Sequence, residues 1–387
     1  MCVLVAINQL GFGAVVAVLA LYARSFGVGQ SAIGLSIAVY GLARFLVAVP
    51  AGRLADAAGR RAVLALGGLV SAAGNLLCAV APTYPLFITG RFVAGAGAAL
   101  VLIGGQIVLA DITTPATRGR MMAIYMGVFL FAVGVGPVPG GLLAERFGLA
   151  TPFLVYAAAG ALGAVLAWVS VPETRHPSGL AAAATALPPF GDQLRLLTGR
   201  LGFVLVSLIS FMSAVARTGA LFNVIPVLAR DRLGLNADQI GLGLALASLA
   251  GLVVIYPSGM LVDRIGRKAV IVPATLMAGA AMVIFLLAPS YAWFLAACVV
   301  WSLASGVAGA APAAYAADVA PPGMNAAAMS TYRMLSDVGY VVGPLALGLI
   351  TDVLGADTAL ATAAVLLAAV ALLFARHAPE TLQARRP

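Results

Sequence analysis

Apolar residues fill this chain in long unbroken stretches, separated by short polar breaks. Twelve such spans lie near 1–23, 31–52, 62–81, 85–110, 121–144, 151–171, 202–229, 237–260, 269–288, 292–317, 327–351 and 357–375. Each is long enough to cross a hydrocarbon layer of roughly 30 Å as a helix. Strands of a membrane barrel alternate apolar and polar positions over about ten residues, and these runs do not. The pattern predicts an all-α membrane protein with twelve transmembrane helices.

Composition agrees with the pattern. The chain is 63% hydrophobic and 9% charged, with a mean hydropathy of +1.08, whereas about a quarter of residues are charged in soluble domains. The net charge of +9 is explained by where the cations lie. With the amino terminus inside, fourteen Arg and Lys fall on the inner side: 53, 60, 61, 118, 120, 175, 195, 200, 264, 267, 268, 376, 385 and 386. Only Arg24, Arg146, Arg230 and Arg232 fall outside. That bias follows the positive-inside rule and predicts cytoplasmic termini in an inner membrane. The positive charge therefore reports topology and implies no nucleic-acid partner. The first span lacks the basic flank of a cleavable signal peptide. Cys2, Cys78 and Cys298 have no metal-ligand spacing and read as small hydrophobes. His176 and His377 stand in connections, so no metal and no cofactor are expected.

A shift of 207 residues lays the sequence on itself without a gap. Pro50 falls on Pro257, Gly52 on Gly259, Asp56 on Asp263, and Gly59-Arg60 on Gly266-Arg267. Asp111 falls on Asp318, Tyr125 on Tyr332, Gly136-Pro137 on Gly343-Pro344, and "PET" at 172–174 on "PET" at 379–381. Shared Gly, Ala and Leu mean little in such a chain, but matched Asp, Arg, Pro and Glu at one offset do. Two pseudo-symmetric six-helix bundles follow, 1–171 and 202–387, joined by a cytoplasmic linker at 172–201. Within the linker, "DQLRLLTGR" has the pattern of a short amphipathic helix. The repeat partner of Gly202 lies upstream of Met1, so either the first helix is shortened by about one turn or the true start lies further upstream.

With the repeat in view, "GRLADAAGRR" (52–61) and "GMLVDRIGRK" (259–268) resemble the signature loop of the major facilitator superfamily. "GPVPGG" (136–141) is similar to the helix-5 motif of that family's twelve-helix drug/proton antiporters, and "GRFVAGAGA" (90–98) to its helix-4 motif. The resemblance covers essentially the whole chain. It implies two six-helix halves that share a midplane substrate site and work by alternating access. It also implies a cytoplasmic gate at Gly52, Asp56, Gly59, Arg60, Arg61 and Asp111, and at Gly259, Asp263, Gly266, Arg267, Lys268 and Asp318. In that gate Gly52 and Gly259 admit a neighbouring helix, and Asp56 and Asp263 face helix N-termini. Arg60 pairs with Asp111, and Arg267 with Asp318. Gly136, Pro137, Gly140 and Gly141 interrupt hydrogen bonding and thin one face of the fifth span.

Five charges fall well inside spans, away from their ends: Arg44, Arg91, Arg217, Arg333 and Asp337. Intramembrane charges are costly and face partners or a water-filled cavity. Arg333 and Asp337 are four residues apart, close enough to pair on one helix face. Asp337 is the only carboxylate deep in a span, which makes it the candidate for carrying a coupling proton. Arg44, Arg91, Arg217 and Arg333, with Asn8 and Tyr40, are the candidate substrate-cavity residues. Four arginines against one aspartate describe a positive cavity suited to an anionic or polar substrate. No acidic residue stands beside Asn8 and Gln9 in the first span, a departure from many cationic-drug pumps.

The reading is a monomeric secondary transporter, not an enzyme, that exports a small organic molecule in exchange for protons. A uniporter or symporter for an anionic or sugar-like metabolite, or a lipid flippase, is the alternative. No G-x-x-x-x-G-K-[ST] phosphate loop is present, which argues against an ATP-driven pump.

Overall fold

A computed structural model describes residues 1–113, 115–174, 190–309, 311–321 and 324–381; inside its helices, the side chains of 49, 56, 110, 115–120, 122–123, 190–193, 256, 259, 263 and 325–327 lie outside the description. Among the described residues there are helices and no strands. In order they are α1 (Cys2–Arg24), α2 (Gln30–Ala58), α3 (Arg60–Ala79), α4 (Tyr84–Ile112), α5 (Pro115–Val135), α6 (Pro137–Phe147), α7 (Thr151–Ser170), α8 (Phe190–Thr198) and α9 (Leu201–Val215). A π-helical segment, Ala216–Val224, leads into α10 (Ile225–Leu233). Then come α11 (Ala237–Leu249), α12 (Leu252–Ile265), α13 (Arg267–Leu287), α14 (Tyr291–Ala308), α15 (Ala311–Asp318), α16 (Asn325–Leu354) and α17 (Ala356–His377). Twelve stretches of these helices are long and apolar enough to cross a membrane, and they coincide with the twelve spans of the hydropathy pattern to within a few residues. The chain is an integral membrane protein.

The contacts divide the chain into two compact units: Met1–Pro177 with Phe222–Ser248, and Ser178–Leu221 with Leu249–Pro387. The first boundary within the seventh span falls inside the π segment, so α10 and α11 pack with the amino-terminal helices although the repeat places them in the second half. In the first unit α3 lies against α4 and α7, α2 against α4, and α1 against α5, α6 and α7. The second unit repeats the scheme, with α13 against α14 and α17, α12 against α14, and α9 against α16 and α17. The predicted linker helix is α8, which packs on α9.

Small residues bring these helices together. A Cβ built on Gly67 of α3 would stand 2.7 Å from Leu100 Cβ of α4, and one on Gly90 would stand 2.8 Å from Cys78 Sγ. Gly74 and Gly97 meet Ala94 and Ser71 more closely still. In lipid, where burial of apolar surface supplies no net force between helices, such backbone proximity is what packs a bundle. Cys78 and Cys298 are fully buried among these helices, in keeping with their reading as small hydrophobes.

Candidate functional site

The signature loop in the first unit is a turn of one residue. Gly59 ends α2 and starts α3 with φ +96°, and Gly266 does the same between α12 and α13 with φ +108°. Side chains rarely tolerate that backbone. A carboxylate sits directly over each glycine: Glu173 at Gly59 and Glu380 at Gly266, both so close that a Cβ would collide with them.

Each carboxylate caps a helix. The Arg60 N–H donates to Glu173 Oε1 (2.9 Å) and the Arg61 N–H to Oε2 (3.3 Å). The Arg267 and Lys268 N–H groups donate to the two oxygens of Glu380, at 3.0 Å each. An anion there satisfies two orphan donors and meets the positive end of the helix dipole. Arg60 Nε then pairs with Asp111 Oδ2 at 3.0 Å, and the Thr174 hydroxyl donates to that same oxygen at 2.9 Å. The second unit repeats this with Arg267 Nε, Asp318 Oδ2 (3.1 Å) and Thr381 (2.9 Å).

Both arginine–aspartate pairs therefore form as expected. Two changes to the sequence picture follow. The close helix approach expected at Gly52 is not made, since a Cβ there would meet nothing within 4 Å; the small residue that the turn needs is Gly59. Glu173, Thr174, Glu380 and Thr381 join the clusters without having been assigned a role, although "PET" was visible at the 207-residue offset. The side chains of Asp56, Asp263 and Gly259 lie outside the described residues. Arg61 and Lys268 diverge: the Arg61 guanidinium stacks 4.6 Å from the Trp168 ring centroid, whereas Lys268 Nζ donates to the Ala378 carbonyl at 2.8 Å.

Inside the first unit, α1, α2, α4 and α7 place a polar group among apolar residues. Arg91 of α4 is 1% exposed. Its Nε donates to the Ser36 carbonyl of α2 (3.0 Å) and its guanidinium lies 4.4 Å from the centre of the Tyr40 ring. Its Nη1 is buried and has no hydrogen-bond partner. The Tyr156 hydroxyl of α7 donates to Asn8 Oδ1 of α1 (3.2 Å), and Asn8 Nδ2 donates to Gln9 Oε1 (2.8 Å). Phe12 stacks on Tyr40 at 5.5 Å. Arg44, half-buried one turn beyond Tyr40, is within electrostatic reach of both tyrosines. The structure thus brings together four of the six proposed cavity residues, Asn8, Tyr40, Arg44 and Arg91, and adds Tyr156. Tyr156 was not among the proposed residues, since with no polar residue beside it in its span its ring reads as packing.

Arg217, Arg333 and Asp337 belong to the second unit, Arg217 in its π segment and Arg333 and Asp337 exposed on α16. π turns recur at functional positions because the extra residue displaces a backbone group. Here Thr218 Oγ1 donates to Ala214 O (2.9 Å) and Tyr340 O (3.2 Å).

The helix-5 motif separates α5 from α6 at Gly136. A Cβ on Gly136 would lie 2.6 Å from Gly13 Cα, and Gly140 presses closer on Ala14, so the motif seats α5 and α6 against α1. Gly141 faces Ala237 O of α11 (2.5 Å from a built Cβ). Gly343 of α16 makes the equivalent approach to Val215, so that part belongs to the repeat; Gly140, whose repeat mate is Leu347, is particular to the first unit.

At the end of the first unit away from the signature turn, further polar contacts hold α10 and α11. Arg24 and Asp231 form an ion pair. Gln30 Nε2 donates to Asn223 O (2.8 Å) and to Asn223 Oδ1 (2.9 Å), both residues buried. The Ala237 N–H, at the start of α11, donates to Glu145 Oε2 at 3.4 Å. Of these residues the sequence had marked only Arg24, as an outer cation.

Comparison with known proteins gives the family. The model of the Major Facilitator Superfamily matches residues 1–236 and 206–387. An uncharacterised MFS-type transporter of Methanocaldococcus jannaschii is 22% identical over 354 residues, 90% of this chain and 89% of that protein. The multidrug resistance protein MdtL of Klebsiella pneumoniae is 25% identical over 237 residues, covering 60% of this chain and 58% of its own. The crystal structure of a D-xylose-proton symporter superposes with a TM-score of 0.77 at 18% identity, over 98% of both chains. That last likeness establishes the fold alone. Helices, doubled signature turns and family match together make this chain a member of the major facilitator superfamily, a transporter of small molecules and not an enzyme.

Proposed function

We propose that the protein exports a small anionic or polar organic molecule across the cytoplasmic membrane in exchange for protons, by alternating access between the repeat halves 1–171 and 202–387. The observation that carries this is Arg91. A buried guanidinium with a donor left over is a poor structural device, because an unpaired buried donor costs about 1–3 kcal/mol. Its Tyr40 contact and one carbonyl offset part of the desolvation cost, the cation–π term being worth about 2 kcal/mol when desolvated. No described carboxylate pairs with it. A negative group on the substrate is the missing partner.

Export is supported by the helix-5 glycines and by the resemblance to MdtL, a multidrug resistance protein. The Arg60–Asp111 and Arg267–Asp318 clusters stiffen the cytoplasmic turns and so bias the equilibrium between two states. Asp337 takes up the coupling proton, with Arg333 one turn away on α16, while Arg217 contributes to the positive lining. With both termini cytoplasmic, Arg24–Asp231 and Gln30–Asn223 form the outer latch.

The test is reconstitution of the purified chain in liposomes with an imposed pH gradient, screening anionic, neutral and cationic compounds. Substrate-driven proton flux that favours anions is the expected result, and Asp337→Asn should leave substrate exchange while removing that flux. Transport indifferent to the pH gradient in the parent chain would turn the reading to a uniporter.

A further inference from the structure

The perimeter of the first unit carries an open groove of about 500 Å³ between α3 and α7. It is lined by Ala65, Leu66, Leu69, Val165, Trp168 and Val169, among others. Its walls are exposed, Leu69 by 55%, Val165 by 58% and Val169 by 74%, so in a membrane they meet acyl chains. Apolar exposure of that kind is ordinary in such a protein. The upper end of the groove is not.

There Arg61 lies over the Trp168 ring, its Nε buried and without a hydrogen-bond partner. Glu173 accepts from the backbone N–H groups of Arg60 and Arg61. The guanidinium itself is held against an aromatic face, with its Nε still able to donate. Arg61 is the second residue of α3, and Trp168 is two residues from the end of α7. Helices of twenty residues span the hydrocarbon layer, which sets both side chains at headgroup depth, where tryptophan concentrates. From Arg61 the wall descends through Ala65 to Leu69, eight residues or about 12 Å into the acyl region.

The repeat supplies an internal control. In the second unit the place of Arg61 is taken by Lys268, whose ammonium is committed to the Ala378 carbonyl. Trp168 is replaced by Ala375, and Val169 by Arg376. Shared ancestry of the halves therefore does not explain the arginine–tryptophan pair at the head of an apolar trough.

We infer that this groove binds one phospholipid with an anionic headgroup, its phosphate on the Arg61 guanidinium and an acyl chain laid along Ala65, Leu69 and Val165 beside Trp168. The occupant is chosen by charge complementarity at one end and apolar length at the other; soluble phosphate would use only the first, a neutral hydrocarbon only the second. Seated there, the lipid braces the turn at Gly59, since Arg61 and Arg60 share the Glu173 cap. The inference needs only that the chain spans a membrane, and it stands or falls separately from proton coupling.

The test uses the full chain with Trp293→Phe and Trp301→Phe, which leaves Trp168 as its only tryptophan, in phosphatidylcholine nanodiscs. Dibrominated phosphatidylglycerol and dibrominated phosphatidylcholine are titrated as quenchers of its fluorescence. Phosphatidylglycerol should quench at a mole fraction about fivefold lower, the preference expected of a single basic side chain at the membrane surface. Arg61→Gln should equalise the two lipids, Arg61→Lys should retain part of the preference, and Val165→Phe, which fills the groove, should weaken quenching by both. Equal quenching in the parent, meaning an annular lipid only, overturns the inference. So does an undiminished preference in folded Arg61→Gln, or displacement of the brominated lipid by millimolar inorganic phosphate.

Discussion

At the scale of single residues, the proposed function rests on Arg91. The cluster around it is held by few bonds: one carbonyl, one aromatic face, and the Tyr156–Asn8 link alongside. Arg91→Gln removes the charge and keeps a donor, so the stability cost should be small while the affinity for an anionic substrate falls. A charge-assisted contact of about 1.5–3 kcal/mol corresponds to a loss of roughly ten- to a hundredfold. Counterflow in liposomes measures it, with Arg91→Lys retaining more affinity than Arg91→Gln; equal transport by all three chains would make Arg91 a packing residue. Tyr156→Phe should loosen Asn8 and lower affinity by less than tenfold, since a neutral hydrogen bond contributes about 1 kcal/mol. Arg91, Arg44, Asn8 and Tyr40 were legible because a polar atom in an apolar run is conspicuous. Tyr156 was not, and neither was the exposure of Arg333 and Asp337, because hydropathy records depth along a helix but not the direction a side chain takes around it.

At the scale of elements, the informative unit is the turn of one glycine with its carboxylate cap. The hydrogen bonds that Glu173 and Glu380 accept replace those that Ser or Asp accepts at the start of a soluble helix. Here the cap comes from the far end of the bundle, 112 to 113 residues along the chain, so it ties the last helix of each repeat to the third. Glu173→Gln keeps one acceptor but loses the charge, and should cost about 1 kcal/mol through the weakened cap. Glu380→Gln should cost a similar amount, and the double variant the sum, since the two caps share no partner. Thermal unfolding in detergent checks this. Gly59→Ala should be worse than Glu173→Gln, because it adds backbone strain and drives a methyl into the carboxylate. A milder Gly59→Ala would mean that Glu173 moves aside freely. The signature loop, its doubled spacing and the Arg60–Asp111 and Arg267–Asp318 pairs were all readable as sequence. The caps were not, because "PET" carries no local signal for a partner so distant; only its recurrence marked it. The break of α5 from α6 followed from Gly136 and Pro137, whereas nothing in the composition of Ala216–Val224 announced a π segment.

At the scale of the whole molecule, the twelve spans and the 207-residue repeat followed from hydropathy and from matched charged residues, since both survive without any knowledge of contacts. What hydropathy cannot give is which surfaces of those helices meet, and the contacts of α10 and α11 belong to that class. Arg24 and Asp231 occupy the same position in the two repeats, yet they differ in charge and pair with each other. The pair is about half exposed, and exposed ion pairs are worth about 0–1 kcal/mol. Gln30 and Asn223 are buried, and leaving such groups unpaired costs about 1–3 kcal/mol. On the proposed reading of these contacts as an outer latch, its strength resides in Gln30–Asn223, with the charges serving register. Alternating access requires that this contact open once in every cycle, which gives a direct test. In a chain freed of Cys2, Cys78 and Cys298, Gln30→Cys and Asn223→Cys are bridged by a short bifunctional methanethiosulfonate. Transport should fall at least tenfold and return on reduction, whereas Arg24→Ala alone should change it by less than about fivefold, the equivalent of 1 kcal/mol. Full transport by the bridged protein would mean that α10 never leaves α2, and the two halves would then have to exchange access by some motion other than the parting of this contact.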